Sequence, residues 1–228
     1  IYDTIASPQL YPVKFIEVMG RDAGWVTAAC ALGCSGDEAG LAPLLFLPER
    51  PPASTEEVLA IVRADVERRG WSVVVVPETL RDAEGRHLGG DTPDYIDAFG
   101  HAYFPSTGAA LSRLLTSAGV RARYEKPGTA ARMSISMASP VDLSQAEALG
   151  RMAAEAAMQG ITAHMPAVES FEDGWSGMAL VPVERVANRV RHLDEAFIGE
   201  DGRCVTQAFF DYALPLLGPD PFPPYTRL

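Results

Sequence analysis

The sequence predicts an α/β fold, with helices layered on both faces of a largely parallel sheet. Two observations lead to this fold class. Strand patterns alternate with helical patterns along most of the 228 residues, which is typical of parallel α/β sheets. Several predicted strands are continuous apolar runs, such as Val-Val-Val-Val at 73–76, as expected of strands that are covered on both faces.

The first elements are defined by local signals. Residues 13–18 form an apolar run that predicts the first strand, and a helix is predicted over 22–32 with Gly33 as its C-cap. Residues 41–47 are predicted to form a short, all-apolar strand, which ends before the prolines at 51–52.

The next helix carries the clearest boundary signals. Ser54 and Glu57 have the spacing of a capping box, and the apolar residues behind them share one helix face as far as residue 69. The buried strand 73–76 follows, and residues 78–101 are predicted to be rich in loops.

The second half continues the alternation. Helices are predicted over 106–117 and 143–159, and strands over 120–124 and 161–168. Residues 1–170 are therefore predicted to form one α/β domain. Residues 171–228 are predicted to add C-terminal helices and an extended Pro-rich arm, 215–224, that packs on it.

Composition restricts the classes of partner. The formal net charge of −11 would repel nucleic acid and anionic membranes, so an anionic ligand needs a local cationic cluster. No leader pattern opens the chain and no apolar stretch of about 18 residues occurs, which predicts a cytoplasmic protein. Cys30, Cys34 and Cys204 are predicted to be buried free thiols. Because Ile1 is not a methionine, the chain is either processed or part of a longer protein.

The segment 15–34 gives the strongest functional signal. A strand runs into the turn Met19-Gly20-Arg21 and then into the predicted helix. Free N–H groups and the positive end of the dipole would favour an anion there. Because the dipole disfavours a cation in this position, Arg21 is predicted to be present for a bound phosphate.

Residues 17–25, Glu-Val-Met-Gly-Arg-Asp-Ala-Gly-Trp, resemble the sugar-phosphate-binding signature of the phosphofructokinases. Two further segments resemble the family in the same order. Residues 73–78 are similar to the strand that ends in a sugar-contacting acid, and 123–132 to the segment with two arginines nine apart. The run at 97–101, the Pro-Gly-Thr-x-x-Arg form at 127–132 and the Ser-x-x-Asp helix entry at Ser139 and Asp142 are closer to the diphosphate-dependent branch than to the ATP-dependent branch.

The resemblance implies a role for each matched residue. Arg21 would be catalytic, bridging the sugar and the transferring phosphoryl group. The implied substrate-binding residues are Met19, Gly20, Arg21, Glu78, Arg123, Thr129 and Arg132, the last three holding the 6-phosphate. Structural alternatives stay open: Met19 as a core residue, Glu78 as a loop cap, Thr129 as a turn residue, and the two arginines as surface ion pairs.

The sequence departs from the family in two places. The family commonly has an arginine seven residues before the Met of Met-Gly-Arg, which reaches the sugar phosphate of a neighbouring subunit. This chain has Pro12 there and Lys14 nearby. The Gly-Gly-Asp loop and the Thr-Ile-Asp-Asn-Asp strand end, which serve the donor, magnesium and the catalytic base, precede Met-Gly-Arg in the family and are not found before Met19.

The resemblance therefore implies the C-terminal part of a 6-phosphofructokinase of glycolysis, without its N-terminal donor-binding domain. The intact enzyme would phosphorylate the 1-hydroxyl of fructose 6-phosphate from diphosphate, using Mg²⁺ held outside this chain and acting as a homo-oligomer. The fragment alone is expected to be inactive. Three alternatives stay open: an ATP-dependent enzyme, a non-catalytic sugar-phosphate-binding or regulatory subunit, and an unrelated α/β protein.

Overall fold

The computed structural model describes residues 1–34, 40–100, 102–171 and 174–218. Its helices are α1 (Tyr2–Ala6), α2 (Trp25–Ala29), α3 (Thr55–Arg69), α4 (Thr107–Ser117), α5 (Thr129–Met133), α6 (Pro140–Met158) and α7 (Gln207–Leu217). Its strands are β1 (Val13–Val18), β2 (Leu44–Leu45), β3 (Ser72–Pro77), β4 (Tyr95–Ile96), β5 (Ala102–Tyr103), β6 (Ala122–Glu125), β7 (His164–Phe171) and β8 (Gly174–Pro182).

The predicted α/β fold with a parallel sheet is confirmed. Strands β2, β3, β1 and β6 lie side by side in that order, and all three pairings are parallel. Val13 aligns with Ser72 on β3 and with Ala122 on β6. The carboxyl ends of these strands therefore meet on one side of the sheet, which we call the carboxyl edge.

The core lies between this sheet and two helices. Strands β1 and β3 present Phe15, Val74 and Val76, and helices α3 and α4 cover them with buried aliphatic side chains. Each such side chain contributes roughly 1.5–3 kcal/mol when it leaves water. The aligned strands and the position of α4 are thereby fixed, and with them the loops at the carboxyl edge.

Helix α3 agrees with its predicted boundaries because its signals are local. The Ser54 hydroxyl accepts a hydrogen bond from the Glu57 N–H at 3.3 Å. At the other end Gly70 adopts φ 80°, the left-handed conformation that glycine tolerates, and its N–H donates to the Val66 carbonyl.

Several predicted elements are wrong in extent or pairing. The helix over 22–32 is reduced to α2, followed by a separate 3-10 turn at Leu32–Cys34, and the strand over 41–47 is reduced to β2. Strand β7 pairs antiparallel with β8, which the sequence analysis missed, and so does β4 with β5. The predicted arm begins inside α7, which contains Pro215, and 219–224 lie outside the described residues.

The chain divides into two compact units: Ile1–Arg132 with His192–Phe209, and Met133–Arg191 with the chain from Phe210 on. The first contains the parallel sheet. The second contains α6 and the β7–β8 hairpin, and the Ser139 hydroxyl caps α6 by accepting from the N–H groups of Val141 and Asp142. The predicted boundary at residue 170 stays a prediction. Among the described residues, no helix combines the length and apolarity needed to cross a membrane.

Candidate functional site

The turn after β1 is tied by hydrogen bonds to the turn after β3. The Glu78 N–H donates to the Val18 carbonyl at 3.0 Å, and the Thr79 hydroxyl donates to the Arg21 carbonyl at 2.9 Å. Gly20 has φ 128°, where an L side chain is strained, and a Cβ there would lie 3.1 Å from the Ala23 carbonyl oxygen. The backbone of Met19-Gly20-Arg21 is thus fixed, while the Arg21 side chain is exposed.

Arg21 stands between two clefts. One, which we call the Glu78 cleft, has a volume of about 50 Å³. The other, the Arg81 cleft, has a volume of about 190 Å³. The Glu78 cleft is lined by Arg21, Glu78, Thr79, Ala102, Tyr103, Phe104 and Lys126. The Arg81 cleft is lined by Arg21, Asp22, Pro48, Thr79, Arg81 and His192.

The anion site predicted at the helix N-terminus is wrong in its physical basis. Helix α2 begins at Trp25 and has five residues, so little dipole accumulates. The Gly24 N–H donates to Glu49 Oε1 at 2.9 Å, and the same oxygen accepts from the Leu193 N–H at 2.8 Å. Because a carboxylate of this chain already occupies that helix start, anion binding depends on side chains and not on the helix.

Arg21 is held beside an aromatic ring. Its guanidinium carbon lies 5.4 Å from the centroid of the Tyr103 ring, within the range of a cation–π contact. Tyr103 comes from β5, the second strand of the β4–β5 hairpin, and its ring stacks on Tyr95 at 4.7 Å between centroids. The hairpin, placed among loops by the sequence analysis, therefore forms a wall of the Glu78 cleft.

Glu78 directly follows β3. It is half-buried and is one of the residues that line the Glu78 cleft. Its carbonyl accepts from the Thr107 hydroxyl at 3.1 Å, which links it to the start of α4. An ionised carboxylate only accepts hydrogen bonds. Glu78 can therefore accept hydrogen bonds from the hydroxyl groups of a ligand whose anionic group faces the neighbouring cations.

Lys126, which the sequence analysis did not single out, supplies the second cation of the Glu78 cleft. It follows β6 directly, and its ammonium lies 2.7 Å from Oε1 of Glu17, a fully buried carboxylate on β1. Its position could have been read from the sequence, since it lies inside the matched segment 123–132 and follows a predicted strand. The buried partner could not, because the pair depends on the alignment of β1 with β6.

Arg123 is not brought to Arg21 within this chain. It aligns with Lys14 on β1, four residues before Val18, which corresponds to about 13 Å along the strand. Its guanidinium lies 3.0 Å from Asp3 Oδ2 and over the Tyr11 ring, at 4.7 Å from the centroid. Lys14 shares that Asp3 oxygen at 2.6 Å. Lys14 also lies 2.9 Å from Glu125 Oε1, so Lys14 and Arg123 belong to an ion-pair cluster towards the amino ends of the strands.

Thr129 and Arg132 lie on the short helix α5, which follows the carboxyl end of β6, and both side chains are exposed. They share the carboxyl edge with Met19, Gly20, Arg21 and Glu78 because α5 continues from this end of the sheet. Of the predicted site residues, Arg21 and Glu78 line the Glu78 cleft, and Arg123 lies apart from them.

The described residues do not supply a magnesium site. No group of three or more His, Cys, Asp or Glu side chains is arranged to hold a metal ion in that part of the chain. Glu17, the buried carboxylate beside the Glu78 cleft, is paired with Lys126.

The fold and the charges at its edge define a class: a parallel α/β protein with a candidate anion site at the carboxyl ends of the strands, where ligands bind in such sheets. A family model described as Phosphofructokinase matches residues 1–157. The chain belongs to the phosphofructokinase family.

Relatives and solved structures agree with this assignment. The chain is similar to the pyrophosphate–fructose 6-phosphate 1-phosphotransferase of Xanthomonas campestris pv. campestris, with 33% identity over 227 residues, covering 95% of this chain and 54% of the relative. The enzyme of the same name from Halomonas elongata is 34% identical, with 93% and 51% coverage. The crystal structure of pyrophosphate-dependent phosphofructokinase from Nitrosospira multiformis superposes with a TM-score of 0.78 at 27% identity, covering 99% of this chain and 53% of that chain. The chain spans about half the length of these relatives.

Proposed function

We propose that this chain is the sugar-phosphate-binding part of a diphosphate-dependent 6-phosphofructokinase. The intact protein would transfer a phosphoryl group to the 1-hydroxyl of fructose 6-phosphate. One observation carries the proposal: Arg21 after β1, Glu78 after β3 and Lys126 after β6 line one cleft at the carboxyl edge. Two cations and one carboxylate suit a ligand that combines anionic phosphoryl oxygens with hydroxyl groups.

The chemistry assigned to this part of the protein is positioning and charge stabilisation. Phosphoryl transfer passes through a transition state with charge on the equatorial oxygens, so a fixed guanidinium such as that of Arg21 lowers its free energy. Met19 and Gly20 would contact the sugar, and Glu78 would orient it by accepting from hydroxyl groups. Mg²⁺ and the donor would be bound outside the described residues.

The position of Arg123 supports a site completed by a second copy of the chain. The resemblance implies that a cation near position 12 reaches the sugar phosphate of a neighbouring subunit, and Lys14 and Arg123 lie together on that side of the sheet. We assign Thr129 and Arg132 to the 6-phosphate in the same chain and Arg123 to the 6-phosphate of the neighbour. The functional protein would then be a homo-oligomer.

The names of the relatives favour diphosphate as the phosphoryl donor. Both curated relatives described above are named as pyrophosphate-dependent, and so is the solved structure. We carry that donor over to the intact form of this protein as part of the proposal, together with a place in glycolysis and in the cytoplasm.

Isothermal calorimetry of the 228-residue chain with fructose 6-phosphate tests the proposal. Saturable binding is expected, with a large loss in Arg21→Ala and in Glu78→Gln. Arg151→Ala is the matched control, since Arg151 is an exposed arginine on α6 that pairs with the nearby Glu147. The absence of binding to a folded wild-type chain, or an equal loss in the control, would contradict the proposal.

The Arg123→Ala and Arg132→Ala variants separate the two copies. Each alone is expected to weaken binding. In an equimolar mixture of Arg123→Ala with Arg132→Ala, sites that draw one arginine from each chain would regain both arginines in a fraction of the oligomers, and part of the binding would return. No recovery in the mixture would show that both arginines act in the same chain or not at all.

A further inference from the structure

The strongest unassigned feature is the buried carboxylate of Glu17. It is 0% exposed on the central strand β1. Its Oε2 accepts from the Ser106 hydroxyl at 2.6 Å and from the Gly108 N–H at 2.8 Å, both at the start of α4. A buried charge is costly unless it is paired and hydrogen-bonded. The proposed function assigns no role to this buried carboxylate.

The other oxygen of Glu17 faces Lys126. Oε1 lies 2.7 Å from the Lys126 ammonium, and the Lys126 side chain is 46% exposed whereas Glu17 has no exposed surface. The ion pair therefore runs from the core to the wall of the Glu78 cleft. An ammonium carries three N–H donors, so donors remain for a ligand in the cleft while the ammonium lies beside Glu17.

The surroundings keep Lys126 charged. Burial lowers the pKa of its ammonium, but the hydrogen bond and the negative charge of Glu17 more than compensate, so that the net shift is upward. The charged groups that face the Lys126 ammonium include Glu17 and, from β3, Glu78. Lys126 is therefore a cation held in place near neutral pH, in contrast to an ordinary surface lysine that samples many rotamers.

We infer that Lys126 is a further substrate-binding residue, which donates to an anionic phosphoryl oxygen in the Glu78 cleft while Glu17 positions it. This inference rests on the proposed function. Arg21 and Lys126 follow different strands, β1 and β6, and line the same small cleft with Glu78. An anionic oxygen between the two cations leaves the hydroxyl groups of the same ligand for Glu78. Ser106 and Gly108 act through Glu17, which they hold.

Calorimetry with fructose 6-phosphate distinguishes this role from simple neutralisation of Glu17. Lys126→Met is expected to weaken binding about tenfold or more, the usual cost of one lost charge-assisted hydrogen bond. Lys126→Arg keeps the charge and is expected to restore most of the affinity. A folded Lys126→Met variant with wild-type affinity would overturn the inference.

If Lys126→Met does not fold by itself, the double variant Glu17→Gln with Lys126→Met is compared with Glu17→Gln: lower affinity in the double variant is expected, and equal affinity overturns the inference. The double variant is also informative when Lys126→Met folds. It removes the buried charge together with its partner, so no unpaired carboxylate is left in the core. If Glu17 positions Lys126, the loss caused by Lys126→Met is smaller in the Glu17→Gln background than in the wild type. Equal losses in both backgrounds would contradict the positioning role.

The same titrations separate the two proposals. Binding that is lost in Arg21→Ala but retained in both the Lys126→Met and the double variant overturns the role of Lys126 and leaves the proposed function standing. A folded wild-type chain that does not bind fructose 6-phosphate overturns both.

Discussion

Gly24, three residues after Arg21, lies at a point where the backbone passes close to neighbouring side chains. A Cβ at this position would lie 2.6 Å from Glu49 Oε2 and 2.9 Å from Leu47 Cδ2. Contacts this short force the surrounding groups to move, and overpacking of this kind costs about 1–3 kcal/mol. Glu49 cannot move freely, because it accepts from the N–H groups of Gly24 and Leu193.

We therefore expect Gly24→Ala to lower the free energy of unfolding by about 1–3 kcal/mol, measured by urea denaturation. Gly33→Ala is the control, since a Cβ at Gly33 meets nothing within 4 Å. Unfolding midpoints that agree between the two variants would show that the space around Gly24 adapts.

Asp65 gives the first unit an acid-sensitive contact. Burial raises the pKa of its carboxyl group, but the hydrogen bonds and charge of Arg69, with help from Arg68, outweigh this effect and lower the pKa below its ordinary value of 3.8. Because the folded state favours the ionised form, this contribution to stability is complete above pH 3.8 and is lost as the pH falls through the lower, folded-state pKa.

Urea unfolding between pH 2 and pH 6 checks this sign. The wild-type midpoint is expected to fall at the acid end, and Asp65→Asn, which cannot titrate, is expected to have a flatter profile and a lower midpoint at pH 6. Asp94→Asn, at an exposed loop position, should follow the wild type. An Asp65→Asn profile parallel to the wild-type profile would refute the prediction.

The cysteines are expected to react slowly with thiol reagents. Cys34 is buried and Cys30 is partly buried, but Cys204 is exposed, so the prediction that all three are buried is wrong for Cys204. Burial raises the pKa of the Cys30 thiol to about 11. At Cys204, partial burial of the sulfur and the nearby Asp201 carboxylate raise the pKa of the thiol to about 11 as well. Since the thiolate is the reactive form, labelling by a disulfide reagent at pH 8 should be much slower in the native chain than in urea. Rapid labelling of one thiol in the native chain would contradict the prediction for that cysteine.

At the level of elements, the cap of α3 can be tested alone. Ser54→Ala removes the side-chain acceptor of the Glu57 N–H, and loss of such a cap typically costs about 1 kcal/mol. Ser54→Asp keeps an acceptor and should stay close to the wild type in urea denaturation. If alanine and aspartate destabilise equally, the hydroxyl is acting through something other than the cap.

The comparison of α3 with α2 shows what the sequence could predict. Both ends of α3 carry their signals within four residues, at Ser54 and Gly70, so its bounds were predicted almost to the residue. The start of α2 is set by Glu49, which accepts from the N-cap Gly24 N–H from 25 positions away. No periodicity around Gly24 contains that information, and the predicted helix therefore began too early.

The candidate site follows the same division. Met19, Gly20, Arg21 and Glu78 were predicted from consecutive motifs at strand ends, and the parallel sheet brings these ends together. The alignment of β1 with β6 brings Lys126 to Glu17 and places Arg123 away from Arg21. Strand alignment is a property of tertiary packing, so the sequence predicted the strand ends but not these two relations.

For the molecule as a whole, the β4–β5 hairpin and its turn present large apolar side chains to solvent. Tyr95 is 54% exposed, Ile96 60% and Phe99 87%. Neighbouring exposed apolar residues commonly mark an interaction surface. The net charge of −11 keeps such a surface from causing indiscriminate aggregation.

We expect the chain to associate through this surface, which sedimentation analysis would detect as a mass above the 24.5 kDa of one chain. Phe99→Ser is expected to shift the equilibrium towards the single chain. Met158→Ser, at an equally exposed position of 86% on α6, is the control. A wild-type chain that stays at 24.5 kDa at high concentration would refute the expectation.

The order of the parallel sheet also determines when the protein can fold. Strand β1 lies between β3 and β6, and Val13 aligns with Ser72 and with Ala122, more than a hundred positions later. At synthesis rates of roughly 5–20 residues per second, the central strand waits for several seconds before its second neighbour exists. Contacts of such long sequence separation also slow the search for the native state. Val13 and Phe15, which are fully buried in the folded protein, therefore lack part of their final cover in the nascent chain until β6 has been synthesised.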